Sequence, residues 1–174
     1  MQARYLEKVF YESGTLEWKT HFANGKKHGA YREYRKSGAL ECEIPYLNGK
    51  RNGVIKRYYT SGFLSCANHY ANSKEHGVSI GYNKFGTLEY ERIYANGKEN
   101  GISRGYYESG ILKWEAFYKN GEQYGIKNRY WEVSYKDGKQ YGKENRYYAN
   151  GELIYDAKSI KDTTKQGSAC KYHS

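Results

Sequence analysis

One proline, one methionine and three cysteines stand among the 174 residues. No apolar run approaches the ~18 residues of a membrane-spanning helix, so none is expected. The three cysteines, Cys42, Cys66 and Cys170, are too few and too scattered for a disulfide framework. Cys42 and Cys66 hold the same place in successive repeats, which puts them about 9–10 Å apart if each repeat adds two strands. That exceeds the ~7 Å Cα separation a bridge tolerates. The opening MQARYLEKVF has neither an apolar core nor a small-residue cleavage site, so no secretory signal is expected and the cytoplasm is the assigned location. Helical spacing of apolar residues is missing too, and no glycine-rich loop opens a helix to cradle a phosphate.

Tyrosine is what the chain has in abundance, with 22 residues. So many aromatic side chains exclude a disordered chain despite the polar composition. The formal net charge of +10 favours an acidic protein, nucleic acid or an anionic lipid surface as partner.

The organising feature is a repeat. Gly38, Gly62, Gly86 and Gly110 follow one another at steps of 24 residues, with Gly14 one step earlier. Two further series run in parallel: Gly25, Gly49, Ser73, Gly97, Gly121 and Gly29, Gly53, Gly77, Gly101, Gly125. A fixed period of this length marks a stacked-repeat architecture. Between the glycines apolar and polar residues alternate, as in Leu16, Trp18 and Phe22 against Glu17, Lys19 and His21, a period of two that predicts strands. The Tyr107–Ile111 segment fits a type I turn closed by a left-handed Gly110, pairing Tyr106 with Leu112. Ala23–Gly29, ANGKKHG, reads as a longer turn.

The resulting expectation is an all-β fold: an elongated, single-sheet antiparallel β-meander of 24-residue hairpin repeats. It spans residues 1–156, with a half repeat at 5–11 and a shortened repeat near 126–142, followed by a flexible tail at 157–174. About thirteen strands are predicted. One face is expected to gather Tyr34, Tyr58, Tyr82, Tyr106 and Tyr130 with Leu112, Trp114 and Tyr118 as an aromatic core. The other is expected to pair Glu41, Glu43, Glu89, Glu91 and Glu115 with Arg57, Arg129 and Arg146. On that assignment Tyr106→Ala removes about 3 kcal/mol or more if the ring is fully buried. Ile126–Tyr135 is expected as one long strand, and Pro45 as a local loss of pairing.

The motif YYESGxLxxxxxYxNGKxxG, intact at Tyr106–Gly125 and recognisable at Tyr58–Gly77 and Tyr82–Gly101, resembles the MORN repeat. More closely it resembles the bacterial variant of the YwqK-family antitoxin-like proteins. The resemblance implies an antiparallel meander serving as a binding scaffold, and a role in neutralising a toxin. Ser73 in place of the turn glycine, Pro45 and the shortened unit depart from the pattern.

No catalytic constellation stands out, so an enzyme, a metal site and a cofactor are not expected. His28 and His76, like His21 and His69, lie two repeats apart, about 19 Å along such a stack. Cys170 and His173 offer two ligands where structural zinc takes four. A binding surface is the better reading. Tyr107, Phe117, Trp131 and Tyr148 interleave with Arg129 and Arg146, and aromatic anchors beside arginine are what interface hot spots use. The same pairing of rings and arginine suits nucleic acid. A monomeric protein-binding scaffold is therefore expected, possessing an acidic-partner preference, with nucleic acid or anionic lipid as the alternative.

Overall fold

The computed structural model describes residues 3–128, 131–136, 139–147 and 153–156. Within them the chain forms only strands and turns. In order these are β1 (Arg4–Phe10), β2 (Leu16–Ala23), β3 (Lys26–Lys27), β4 (Gly29–Tyr34), β5 (Leu40–Leu47) and β6 (Lys50–Arg51). There follow β7 (Gly53–Tyr58), β8 (Leu64–Ala71), β9 (Lys74–Tyr82), β10 (Leu88–Ala95), β11 (Lys98–Glu99) and β12 (Gly101–Tyr106). The last are β13 (Leu112–Lys119), β14 (Glu122–Asn128), β15 (Trp131–Lys136), β16 (Lys139–Tyr147) and β17 (Leu153–Asp156). The two-residue segments β3, β6 and β11 each lead, after one residue, into the next strand, so the 17 segments make 14 continuous strands (17 − 3). Each pairs antiparallel with its sequence neighbours in one open sheet. The predicted meander is there, and β1 pairs with β2 at its start.

The two kinds of turn have different causes. At Tyr107–Gly110 the Gly110 N–H donates to the Tyr107 carbonyl at 2.8 Å and the Tyr107 N–H to the Ile111 carbonyl at 2.9 Å. Gly110 has φ +78, the left-handed closure the sequence suggested. The second kind is tighter than expected. Ala95 pairs with Lys98, leaving Asn96 and Gly97 alone at the tip with φ of 53 and 84. Two left-handed residues make a type I′ turn, whose twist matches that of the strands it joins. The segment ANGKKHG is thus a two-residue turn followed by a bulge, where the His28 N–H donates to the His21 carbonyl at 2.8 Å.

A second bulge decides which side of the sheet each residue occupies. Tyr106 pairs with Leu112, but Gly105 pairs with Trp114, so Lys113 is an extra residue on its strand. One extra residue resets the alternation of sides. Trp114 and Tyr118 therefore do not share a face with Tyr106, contrary to the sequence expectation. The Tyr106 hydroxyl instead donates to the Glu91 carboxylate at 2.8 Å, on the side of Arg104 and Glu115. The same bulge recurs at Glu33/Tyr34 and Arg57/Tyr58.

One side is consequently a packed face. Thr20, Cys42, Ile55, Ser79, Ser103 and Ala116 are buried there, mostly small side chains, between flanking rows of half-buried aromatics. Rings cover glycines across the strands. A Cβ on Gly105 would meet the Trp114 indole nitrogen at 2.2 Å, and one on Gly81 would meet the Tyr90 ring at 2.2 Å. The core is a tiling of rings over small residues rather than a ladder of the leading tyrosines.

The other side is an open face. Along it Arg32 pairs with Glu43 at 2.5 Å, and Arg104 with Glu115 at 2.7 Å and Glu91 at 3.9 Å. Cross-strand ion pairing was anticipated for these carboxylates, though not with these arginines. Arg57 pairs in register with Cys42 and Cys66 and so lies on the packed face. Being partly exposed, each ion pair contributes about 1 kcal/mol or less.

Two further expectations are corrected. Pro45 does not interrupt β5. It opposes the bulge at Asn52 and Gly53, where pairing is already irregular, and its carbonyl still accepts the Asn52 N–H at 2.9 Å. Nor is Ile126–Tyr135 one strand, because β14 and β15 are antiparallel partners, with Ile126 opposite Val133. The phase is lost one strand earlier than the sequence suggested. Phe117 pairs with Gly125 rather than with Ile126, a slip of one residue against the earlier repeats. The proposed tail at 157–174 lies outside the described residues.

Candidate interaction surface

Neighbouring repeats are fastened at both edges, except that at the first edge Asn83, in the place of Tyr11, Arg35 and Tyr59, turns its side-chain oxygen inward to accept from the Phe85 and Thr87 N–H groups of its own turn. At the first edge the Tyr11 hydroxyl donates to the Tyr34 carbonyl, the Arg35 guanidinium to the Tyr58 carbonyl, and the Tyr59 hydroxyl to the Tyr82 carbonyl, each at 2.7 Å. At the second edge the N–H groups of Gly49, Ser73, Gly97 and Gly121 donate to the carbonyls of Lys27, Arg51, Glu75 and Glu99, each at 2.8 Å. These bonds satisfy backbone groups that turns would otherwise leave to water.

This bears on the six residues the sequence singled out. Tyr107 occupies the repeat position of Tyr11 and Tyr59, both of which are fasteners. Its ring is 38% exposed, with the Lys113 ammonium 5.4 Å from the ring centroid. Phe117 is 39% exposed on the open face, opposite Ile102. Five residues of strand separate Ile102 from Tyr107, about 17 Å at the rise of an extended chain, so the two rings are not neighbours. Trp131 and Arg146 are backbone partners in β15 and β16. Arg129 and Tyr148 lie outside the described residues.

Phe117 belongs to a feature the sequence reading missed. A single row crosses the open face from strand to strand: Leu6, His21, Ala30, Pro45, Val54, His69, Val78, Ile93, Ile102, Phe117. Leu6, Val78, Ile93 and Phe117 are 38–43% exposed. From Val78 to Phe117 the row is unbroken hydrocarbon. The signal was present, since an aliphatic residue follows each bulge glycine: Ala30, Val54, Val78 and Ile102. What could not be read was which residues of the neighbouring strand would join them.

Beside this stripe, at the type I′ edge, stand Lys26, Lys50, Lys74 and Lys98, all exposed. They share the open face because each is adjacent in sequence to a residue on the packed face, as Lys26 is to Lys27. The Lys27 ammonium lies 4.5 Å from the Tyr31 ring centroid and 5.3 Å from that of Tyr46. None of the four lysines forms an ion pair among the described residues. Two strands separate successive members, or about 9.6 Å. On the stripe's other flank runs the row of ion pairs.

The Tyr31 phenol and the Cys42 and Cys66 thiols of the packed face are held protonated. Burial, reinforced by the Glu33 carboxylate, pushes the Tyr31 hydroxyl up to about 12. Burial and a hydrogen bond to Glu33 push the Cys42 thiol up to about 11, and burial raises Cys66 despite Arg57 beside it. Neither thiol is activated as a nucleophile at neutral pH. Among the described residues no three His, Cys, Asp or Glu side chains converge on a common point, and no helix is long and apolar enough to cross a membrane.

The MORN repeat variant family matches the chain at residues 27–48 and again at 99–120. Both stretches are similar to the MORN repeat variant. Their starts are 72 residues apart (99 − 27), three periods of 24, so the two matches fall at the same phase of the array. Each begins at the lysine or glutamate before the bulge and ends at the Asn of the next type I′ turn. The unmatched copies between them keep the same pairing register, which supports a MORN repeat protein throughout this region. No curated protein matches the chain.

Proposed function

We propose that this MORN-type array is a non-enzymatic, monomeric scaffold that binds a protein partner. The observation that carries this reading is the exposed hydrocarbon row on the open face. A sheet that satisfies its backbone at both edges gains nothing from presenting isoleucine and phenylalanine to water in register across adjacent strands. Contiguous exposed apolar surface rimmed by polar residues is characteristic of interaction sites.

A toxin is the partner we place first, with the protein acting in the cytoplasm as an antitoxin or immunity protein that occludes it by surface complementarity. The resemblance of the YYESG and NGK motifs to the bacterial repeat variant supports this choice. The +10 charge adds a constraint: the contact surface of such a toxin should be acidic. Co-expression with the product of the adjacent gene tests the proposal. Co-purification and rescue of growth are expected, and failure of both would sink it.

The lysine row favours one alternative, attraction of a polyanion such as nucleic acid or anionic lipid headgroups. That reading requires affinity that falls steeply with salt. Affinity unchanged between low and high salt removes it.

A further inference from the structure

Resting on the protein-binding reading, we propose that the open face binds an acidic amphipathic α-helix, laid across the strands along the stripe from Val54 to Phe117. Three observations lead there. The stripe lies on the face of the sheet, where the strands' backbone groups are already paired. An occupant therefore finds side chains but no open ladder, and must satisfy its own backbone, as a helix does. Lys50, Lys74 and Lys98 recur at about 9.6 Å beside the stripe, close to the ~10.5 Å between residues seven apart on a helix. A carboxylate at every seventh position can thus meet successive lysines while the adjoining leucine-type seam covers the stripe. The other flank argues against the remaining occupants. Glu43, Glu91 and Glu115 stand there in register with Arg32, Lys56 and Arg104, a row close to charge balance, so a flat anionic membrane or a nucleic acid spanning both flanks would gain from the lysine row alone while desolvating these ion pairs. A helix, about 10 Å wide, covers the stripe and the lysine flank and leaves that row in water.

The test uses the full chain and a displayed library of peptides about 21 residues long, some 31 Å when helical, with every position varied among helix-forming residues. Selected peptides should carry Asp or Glu at seven-residue spacing beside an apolar seam. Their affinity should fall about tenfold or more in Ile93→Asp and in the double variant Lys74→Glu, Lys98→Glu, by loss of apolar contact and of charge complementarity respectively. Replacing the peptide's acidic row with lysine should restore binding to the double variant, an effect that mere loss of folding cannot imitate. All these positions are exposed, and unchanged thermal melting checks that the variants fold. Selected peptides indifferent to both variants overturn the inference. If they are lost instead in Tyr46→Ser or Tyr70→Ser on the packed face, the scaffold reading survives and the helix-binding surface does not. Failure to select any peptide, while the co-expressed neighbour still co-purifies, overturns the helix alone. Failure of both, with binding to phosphatidylcholine vesicles only when phosphatidylserine is included, overturns the scaffold reading as well.

Discussion

The two faces of this sheet are built from the same strands and obey different rules. On the packed face one methyl group is too many: Gly105 and Gly81 have rings lying where a Cβ would be. On the open face Ile93 and Phe117 stand well over a third exposed, and arginines meet glutamates in partly solvated pairs. With no second layer among the described residues, the sheet makes its interior from side chains lying down across their neighbours. Tall side chains on small ones achieve this on one side only. The other side is left free to vary, which is where recognition can be placed at little cost in stability.

Substitutions can break this contrast, and the largest effect should come from the packed face. Gly105→Val must displace the Trp114 indole and should cost about 3 kcal/mol, near the upper end for overpacking. Urea denaturation reads it directly, and a loss below about 1 kcal/mol would mean that the ring swings away freely. Tyr106→Ala is next. With the ring on the open face and only partly covered, the loss should be about 1 kcal/mol, mostly the hydrogen bond to Glu91 and some packing, and not the 3 kcal/mol a buried ring would carry. A measured loss near 3 kcal/mol would restore the opposite assignment of faces.

A pH series sharpens the same contrast. The Tyr31 hydroxyl ionises near 12 in the folded protein against 10.0 for the free side chain, because burial and Glu33 disfavour the phenolate. The folded state then holds its proton more tightly, so this contribution is complete below pH 10 and is lost as pH rises towards 12. Melting temperature should fall across that window, and less steeply in Tyr31→Phe; parallel curves would show that the hydroxyl is not burdened by its surroundings. Smallest of all should be Ile93→Ser on the open face, within about 0.5 kcal/mol of the parent. A larger loss would mean that the stripe supports the fold rather than awaiting a partner.

How much of this was legible in the sequence depends on which residue is asked about. The 24-residue step, the left-handed Gly110 and the Tyr106–Leu112 pair all follow from local rules, and all are found. The sides of the sheet did not follow. Alternation is a count of two, and the single extra residue at Lys113 resets the count without any mark in composition. ANGKKHG conceals a boundary for a similar reason, since its seven residues contain a complete turn and then a bulge, both built from Asn, Gly and His. The candidate site was harder. Tyr107 looked like an anchor because it is aromatic and points away from the core. Only the position of the next repeat reveals that Tyr11 and Tyr59, its counterparts, reach a carbonyl 23 residues ahead. The stripe was half visible, in the aliphatic residue after each bulge glycine, and half hidden, because Ile93 becomes its neighbour only through strand pairing.

Those edge hydrogen bonds also make the molecule a ruler. A bond between residue n and residue n + 23 is indifferent to how many copies precede or follow it. Excision of one 24-residue cassette, such as 58–81, brings an equivalent carbonyl to the place of the one removed, whereas excision of 23 or 25 leaves the fastener that spans the junction facing the wrong atom. Length in this architecture is therefore quantised, and a tandem duplication in the gene could extend the lysine row by one tooth without a single new contact having to evolve.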